Sequence, residues 1–162
     1  GTGTYLDTAR LKRSLGDALN VDPRSIQGYM LGEHGDSQFA AWSTVRVLGQ
    51  KADELVTNYH LDLDAVANDA RVGGFTVFSG KKYTNFAIAH AAVSLAQLVL
   101  SDAHNEAIVS HYDARFAGYI STPAIIGRSG VVANFELTLT ADEQRALQQS
   151  ANAIAEKTAA YL

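Results

Sequence analysis

Cysteine is absent from the sequence, so disulfides and cysteine-ligated metal sites are excluded. A chain without disulfides fits the reducing cytoplasm, which is the compartment we expect. The 13 Lys and Arg against 17 Asp and Glu give a net charge of −4, with no long basic run. Neither nucleic acid nor an anionic membrane surface is therefore an expected partner. The longest apolar stretch, 86–100, is broken by His90, Ser94 and Gln97, so the sequence predicts no membrane span.

What the chain does contain is typical of a globular protein: 47% hydrophobic and 19% charged residues over 162 positions. That length supports one domain with a substantial core. No repeat, linker or low-complexity tract divides the sequence, so we expect residues 1–162 to form a single domain. The chain opens on Gly1-Thr-Gly-Thr without an initiator Met or a signal peptide, and we expect it to be a piece of a longer polypeptide.

The first half of the chain predicts helices and short strands. We expect helices over 5–19 and 61–71 and strands over 25–31 and 42–48. Thr4 is the expected N-cap of the first helix, in a weak capping box with Asp7. The pair Gly73-Gly74 is expected to interrupt the second helix. With no long helix between them, the two strands are expected to pair antiparallel.

The second half predicts a buried helix, a meander and a final helix. We expect helices over 84–103 and from Thr140 to about Tyr161, and strands over 107–112, 116–121, 124–126 and 131–137. The helix over 84–103 is apolar nearly all round, so we expect it to be buried, with His90 as a core or interface histidine. Thr140 and Glu143 form a capping box. The predicted fold class is α+β, with long helices packed on small antiparallel sheets.

The segment Gly28-Tyr-Met-Leu-Gly-Glu-His-Gly-Asp36 carries the clearest local sign of chemistry. Glycines on both sides of the Glu33-His34 pair permit a sharp turn and close approach of another group. A titratable ring in a turn after a strand is typical of a site, because loops hold many functional residues. Taken alone, the segment also fits a surface histidine in a polar turn.

Four polar residues combine into a chemical hypothesis: Asp7, Arg10, His34 and Thr84. Histidine, with an ordinary pKa of ~6.5, can take a proton from an alcohol and return it to a ketone near neutral pH. A carboxylate on the other ring nitrogen would fix its tautomer. An arginine offers two parallel donors to a substrate carboxylate. Without further evidence, Asp7 also fits a first-turn helix acid and Arg10 a solvated helix arginine.

Two ordered motifs resemble those of the lactate/malate dehydrogenase family, in its L-2-hydroxy acid branch. They are Gly1-Thr-Gly-Thr-x-Leu-Asp7-Thr-Ala-Arg10 and Leu31-Gly-Glu-His34-Gly-Asp36, and 24 residues separate Arg10 from His34. The likeness covers essentially the whole chain and matches the C-terminal, substrate-binding half of such enzymes. It implies that His34 is the proton donor and acceptor, that Asp7 is its partner, and that Arg10 binds the substrate carboxylate.

The same resemblance implies roles for four residues further along the chain. Thr84 matches the threonine that opens the substrate-pocket helix, and Ile88 matches the residue that packs on the nicotinamide ring of NAD, to which His34 also lies close. Phe75 and Phe78 are expected to wall the side-chain end of the pocket, with ordinary core packing as the alternative. Their bulk, and likeness to the family's L-2-hydroxyisocaproate dehydrogenases, favours a 2-keto acid larger than pyruvate.

Some positions depart from the family pattern. Lys82 and Tyr83 replace the usual small residues before Thr84, which changes the expected shape of the pocket. Lys12 and Gln27 stand where many bacterial members bind fructose 1,6-bisphosphate, so we expect no strong activation by that compound. The N-terminal Rossmann half, which in the family supplies most NAD contacts, is absent, since no strand-linked G-x-G-x-x-G occurs. We therefore expect negligible activity from the fragment alone.

Alternative functions remain within and outside this class. L-lactate dehydrogenase is the nearest alternative, and malate dehydrogenase is less expected. From another class, small-residue helices suit an oligomerisation module, and the resemblance itself implies a homo-oligomer. A metal site is not expected, because the remaining histidines are too scattered for ligand spacing: His60, His90, His104 and His111.

Overall fold

The computed structural model describes residues 1–159 and 161, which contain five helices and eight strands. The helices are α1 (Tyr5–Leu19), α2 (Ala52–Tyr59), α3 (Leu63–Lys81), α4 (Asn85–Leu100) and α5 (Ala141–Ala159). The strands are β1 (Ile26–Gln27), β2 (Met30–Leu31), β3 (Phe39–Ala40), β4 (Arg46–Val47), β5 (Gln50–Lys51), β6 (Asn105–Asp113), β7 (Gly118–Gly127) and β8 (Gly130–Ala133). They form three small antiparallel sheets, ordered β1-β4-β5, β2-β3 and β6-β7-β8. The expected α+β class, with long helices and small antiparallel sheets, is confirmed.

Helix α1 spans the predicted residues and contacts α3, α4 and the strands β1, β2 and β6. Its inner face buries Leu11 and Leu15 completely. The predicted cap by Thr4 is wrong in one respect: its side chain makes no capping bond. The Thr4 hydroxyl instead donates to the Met30 carbonyl at 2.6 Å. That bond ties the start of α1 to the strand before His34.

The first two predicted strands are shorter than expected. Residues 25–31 split into β1 and β2 around Gly28, whose φ of 146° suits only glycine. Residues 42–48 begin as a 3₁₀ turn, Trp42–Thr44, and only Arg46–Val47 forms a strand. The predicted antiparallel pairing is confirmed, because β1 pairs with β4.

The predicted break at Gly73-Gly74 is wrong. Helix α3 runs without interruption from Leu63 to Lys81, and Phe75 and Phe78 belong to it. Glycine inside a helix costs about 1 kcal/mol relative to alanine but does not forbid it. Here the two glycines face α1, where a side chain would meet Arg10. The missing Cβ atoms therefore allow the two helices to lie close together at this point.

The expected burial of α4 is also wrong. Of its sixteen residues only Ala91 is buried, and His90 is exposed rather than held in a core. One side of α4 packs through Leu95, Leu98 and Val99 onto the large sheet. An apolar helix needs a covering surface, but its sequence does not say that the same chain provides it.

The sheet β6-β7-β8 is the predicted meander with altered bounds. The strands expected over 116–121 and 124–126 are one continuous strand, β7, which passes through Pro123 opposite Ile108. Proline's fixed φ suits extended backbone, so it does not end the strand. Strand β8 ends at Ala133, short of the predicted 137. The turn between Gly127 and Gly130 is confirmed.

Alternate faces of this sheet pack on different helices. Ile108 and Ile120 pack with Leu147 of α5, whereas Ala107 and Val109 pack on the α4 side. This alternation follows from the two-residue period of a strand. The sheet is therefore a central layer between two helices.

Helix α5 begins with the predicted capping box. The Glu143 amide donates to the Thr140 hydroxyl at 3.2 Å, and the Thr140 amide donates to the Glu143 carboxylate at 2.8 Å. The helix ends at Ala159, and residue 160, which the prediction also included, lies outside the described residues. Helix α2, for which we made no prediction, covers the β4–β5 hairpin with Ala52 and Leu55 buried.

Candidate active site

Asp7 stands at the centre of the candidate site. It lies in the first turn of α1, where only 1% of it is exposed. Its Oδ1 accepts a hydrogen bond from Arg10 Nη1 at 2.9 Å, and its Oδ2 accepts one from His34 Nδ1 at 2.6 Å. The three residues singled out from the sequence thus form one hydrogen-bonded unit across two elements. The carboxylate has a partner for each oxygen, as a buried charge requires.

The contact with Asp7 determines the protonation of the His34 ring. A carboxylate only accepts hydrogen bonds, so Nδ1 carries the proton and Nε2 is the atom left to exchange one. The hydrogen bond to Asp7 raises the pKa of His34 above its ordinary value. Partial burial and the Arg10 charge act in the opposite direction. The side chain is 61% exposed, so Nε2 is accessible to a ligand.

The Arg10 side chain extends from α1 towards α3. A Cβ added to Gly73 would stand 3.0 Å from Arg10 Cδ, and one added to Gly74 would stand 3.3 Å from Nη2. The guanidinium therefore rests against bare helix backbone. Its side chain keeps 24% exposure, and its remaining N–H groups are available to an anion.

The turn that carries His34 is held on two sides. Gly32 exchanges backbone hydrogen bonds with Ser121 of β7, and Ser150 of α5 accepts the Glu33 amide at 2.7 Å. Ser37 and Lys157 also bond to the Glu33 side chain. The sequence prediction missed Ser37, Ser150 and Lys157. One signal was present, because Ser150 is a polar residue in the apolar stripe of α5 beside Leu147 and Ala151.

The four other predicted residues lie on α3, on α4 or just before α4, and none belongs to this hydrogen-bonded unit. The hydrogen bonds that join Asp7, Arg10 and His34 do not extend to Thr84, which precedes α4 without a side-chain cap. Phe75 is 73% exposed, Phe78 49% and Ile88 39%. Core packing, the alternative for the two phenylalanines, is therefore wrong. All three present apolar surface outward from these helices.

The rest of the molecule offers grooves but no metal cluster in its described part. Within residues 1–159 and 161 no three Asp, Glu or His side chains come together as a metal site. No helix in that part of the chain is both long and apolar enough to cross a membrane. A groove of about 450 Å³ lies between α4 and the large sheet, and another of about 390 Å³ lies between α5 and the tip of the β6–β7 hairpin.

Sequence comparison finds the same family across nearly the whole chain. The profile of the lactate/malate dehydrogenase α/β C-terminal domain matches residues 4–160. The chain is 39% identical to an L-lactate dehydrogenase of Treponema denticola, over 96% of this chain and 53% of that relative. It is 36% identical to L-lactate dehydrogenase 1 of Lactobacillus acidophilus, over 96% of this chain and 50% of that relative. The chain thus spans about half the length of the curated relatives it matches.

Solved structures agree with this result. The minor L-lactate dehydrogenase of Enterococcus mundtii superposes with a TM-score of 0.90 at 31% identity, over 96% of this chain and 52% of that one. A lactate dehydrogenase from a deep-sea metagenome, MGS-M5, also gives a TM-score of 0.90, at 28% identity. Fold and sequence therefore point to the same half of the same kind of protein.

Proposed function

The chain belongs to the lactate/malate dehydrogenase family, as its α/β C-terminal domain, and on that premise we propose that it is the substrate-binding half of an NAD-dependent L-2-hydroxy acid dehydrogenase. The reaction is the reversible reduction of a 2-keto acid to an L-2-hydroxy acid, and its compartment is the cytoplasm. One observation carries the proposal: Asp7 accepts hydrogen bonds from both the His34 ring and the Arg10 guanidinium. This joins a proton donor to an anion-binding group.

In this mechanism His34 moves the proton. With Nδ1 held by Asp7, Nε2 of the imidazolium donates to the carbonyl oxygen of the keto acid and recovers the proton in the reverse direction. The raised pKa of His34 favours the protonated form, which keto acid reduction needs. Asp7 stabilises that cation, and Arg10 binds the substrate carboxylate with two parallel donors.

The residues present fit only one end of NAD. Ile88, in the first turn of α4, exposes an apolar side chain suited to the face of a nicotinamide ring. NADH, when bound, supplies the hydride. These 162 residues contain no glycine-rich phosphate loop, so the groups that bind the rest of NAD must come from another polypeptide segment. We treat residues 1–162 as a single catalytic domain. Residues 1–162 alone are thus expected to bind NADH weakly and to show negligible activity.

We favour a branched 2-keto acid such as 2-ketoisocaproate over pyruvate. Phe75 directly follows the two glycines that contact Arg10, Phe78 lies about one helical turn further on, and both side chains are exposed. Together with Thr84 they offer apolar and hydroxyl surface to the far end of a substrate held by its carboxylate. L-lactate dehydrogenase activity is the alternative, as the names of the relatives indicate.

The test requires both halves of the site. We would fuse this chain to the dinucleotide-binding half of the Enterococcus mundtii enzyme, a fusion called here the two-half enzyme, and follow NADH oxidation with pyruvate, 2-ketoisocaproate and oxaloacetate. His34→Asn should abolish turnover, while His60→Asn, at an exposed histidine, should not. If a two-half enzyme that binds NADH reduces none of the three acids, the proposal is wrong.

A second candidate function is an oligomerisation module, which the exposed apolar surface of α4 favours. Phe86 is 67% exposed and Val93 56%, on a helix with one buried residue. Contiguous apolar surface of this kind marks contact sites. Sedimentation of residues 1–162 tests it: self-association that Phe86→Ser and Val93→Ser reduce supports assembly as a role of this domain, and a monomer contradicts it.

A further inference from the structure

The His34 side chain has little of its own to hold it in place. Its ring is 61% exposed and its one side-chain partner among the described residues is Asp7. A side chain with a single hydrogen-bonded anchor reaches that anchor only when the backbone that carries it lies at the right distance. The position of the turn Gly32–Ser37 therefore decides whether the imidazole meets the carboxylate.

Ser150 joins that turn to α5. It is fully buried, and its Oγ accepts the Glu33 amide at 2.7 Å across 117 residues of sequence. The approach is tight on both sides of Glu33. A Cβ at Gly32, where φ is 97°, would stand 2.9 Å from Ser150 Cβ, and one at Gly35 would stand 2.9 Å from Glu33 Cδ. Gly32 thus lets the turn lie directly on the helix, and Gly35 leaves room for the Glu33 carboxylate to fold back over the turn.

Three hydrogen bonds around Ser150 form a closed hydrogen-bond ring, in which each group donates to the next in the same order around the ring. Ser37 donates its only proton to Glu33 Oε2 at 2.6 Å. In the 2.9 Å contact between the two hydroxyls, Ser150 must then be the donor. The bonds thus run from the Glu33 amide to Ser150, from Ser150 to Ser37, and from Ser37 back to the Glu33 carboxylate. Each bond in such a ring polarises and strengthens the next.

Lys157 keeps the Glu33 carboxylate of this hydrogen-bond ring ionised. It pairs with the other Glu33 oxygen from two turns further along α5. That pair, followed by the Ser37 bond, lowers the pKa of Glu33. The carboxylate therefore stays an acceptor near neutral pH, and the direction of the ring is preserved.

We propose that Ser150 is a positioning residue for His34: by closing this ring it fixes the turn against α5 and sets the imidazole against Asp7. The catalytic meaning rests on the proposed function, but the positioning is a property of the free chain and is testable there. Helix α5 contributes no group to the proton transfer, but it then determines the fraction of molecules in which the His34 imidazole contacts Asp7.

Nuclear magnetic resonance on residues 1–162 provides the first test. Ser150→Ala should speed hydrogen exchange of the Glu33 amide by about tenfold, the effect of one lost hydrogen bond. The His34 pKa, set by Asp7, Arg10 and Glu33, should fall towards its ordinary 6.5 as the contact with Asp7 loosens. The matched control is Thr158→Ala on the same helix, whose hydroxyl bonds to two α5 carbonyls and to no other group of residues 1–159 and 161. It should change neither quantity.

A second variant covers the case in which Ser150→Ala does not fold. Ser37→Ala, at a partly exposed position, opens the ring while leaving Ser150 to accept the Glu33 amide, so it should move the His34 pKa in the same direction by less. A folded Ser150→Ala chain with unchanged Glu33 exchange and His34 pKa overturns the proposal. If Ser150→Ala is unfolded, an unchanged His34 pKa in Ser37→Ala overturns it instead.

Kinetics of the two-half enzyme separate positioning from general damage. Ser150→Ala should lower kcat while leaving the KM for the keto acid near the wild-type value, because Arg10 is held by α1 and α3. Equal loss in both parameters indicates a structural role only and contradicts positioning. If the resonance shifts occur but His34→Asn retains turnover, the proposed function fails while the positioning stands.

Discussion

Helices α1 and α4 differ in burial in the way opposite to what their compositions suggest: the charged helix is the more buried of the two. Helix α1 carries Asp7, Arg10 and three further charged residues, yet six of its fifteen residues are buried. Helix α4 carries no Asp, Glu, Lys or Arg, yet one of its sixteen residues is buried. Burial within this chain is therefore decided by what packs around a helix and not by how apolar it is.

The candidate site shows the same contrast between hydrogen-bonded residues near α1 and exposed residues on α3 and α4. The residues proposed to transfer the proton all lie within the chain, and part-buried hydrogen bonds join the His34 turn to α1 and to α5. The pocket-wall residues of α3 and α4 face outward and have no such support. The residues proposed to transfer the proton are therefore linked to one another by hydrogen bonds, whereas those proposed to recognise the substrate side chain are exposed.

The largest expected effect is that of substituting Asp7, the buried acid of α1. Asp7→Asn preserves shape but removes the charge that stabilises the imidazolium and fixes its tautomer. We expect turnover of the two-half enzyme to fall about 10²- to 10⁴-fold, with a lower His34 pKa in residues 1–162 by magnetic resonance. Asp17→Asn, an exposed acid on the same helix, is the control and should be neutral. Wild-type turnover in Asp7→Asn would remove Asp7 from the mechanism.

The second prediction tests burial with the same substitution on both helices. Leu15→Ala, at a fully buried position of α1, should cost about 2–5 kcal/mol in the free energy of unfolding. Leu100→Ala, at the end of α4 with 79% exposure, should change it by no more than about 0.5 kcal/mol. Urea denaturation of residues 1–162 measures both. Similar losses at the two positions would mean that α4 is covered in solution, for example by a second copy.

The third prediction concerns the contact between α3 and Arg10. Gly73→Ala improves helix propensity, so stability should rise by up to about 1 kcal/mol if Arg10 gives way. The new methyl group displaces that guanidinium, so the keto acid KM of the two-half enzyme should rise several-fold. Gly80→Ala is the matched control, because no atom lies near its added Cβ. It should stabilise the helix without changing KM, and an equal KM for both variants would contradict the contact.

The smallest expected effect is on pH dependence. Keto acid reduction needs His34 protonated, so the rate should decline as pH rises through its raised pKa. Because the folded-state pKa lies above the unfolded one, the His34–Asp7 pair stabilises the fold fully below the unfolded value. That contribution is lost as pH rises through the folded value. Rate and denaturation profiles of wild type and Asp7→Asn check both, and coincident profiles would refute the coupling.

Much of the site was predictable because its motifs are local. The order of Asp7, Arg10 and His34 and the glycines around the turn stand in two short segments, and the chemistry of each side chain suggested its role. The capping box of α5 and the turn at Gly127 were predictable for the same reason. The missed residues Ser37, Ser150 and Lys157 act through contacts over long sequence separations, which a single sequence does not reveal.

Two errors in the predicted fold have a common origin. The glycine pair in α3 predicts a break because glycine disfavours helices locally, but packing against Arg10 outweighs that preference. The composition of α4 predicts burial because it is apolar, but this chain covers only one side of it. In both cases the outcome depends on residues that lie far away in the sequence.

The sequence by itself determined the fold class, the family resemblance and the identity of the residues proposed to act on a keto acid, since propensity, spacing and side-chain chemistry are local properties. Only the tertiary structure decided that Asp7 holds His34 and Arg10 at once, that α5 closes the ring beneath the histidine, and that α4 stays open. These outcomes depend on distances between segments up to 117 residues apart, which are set by packing.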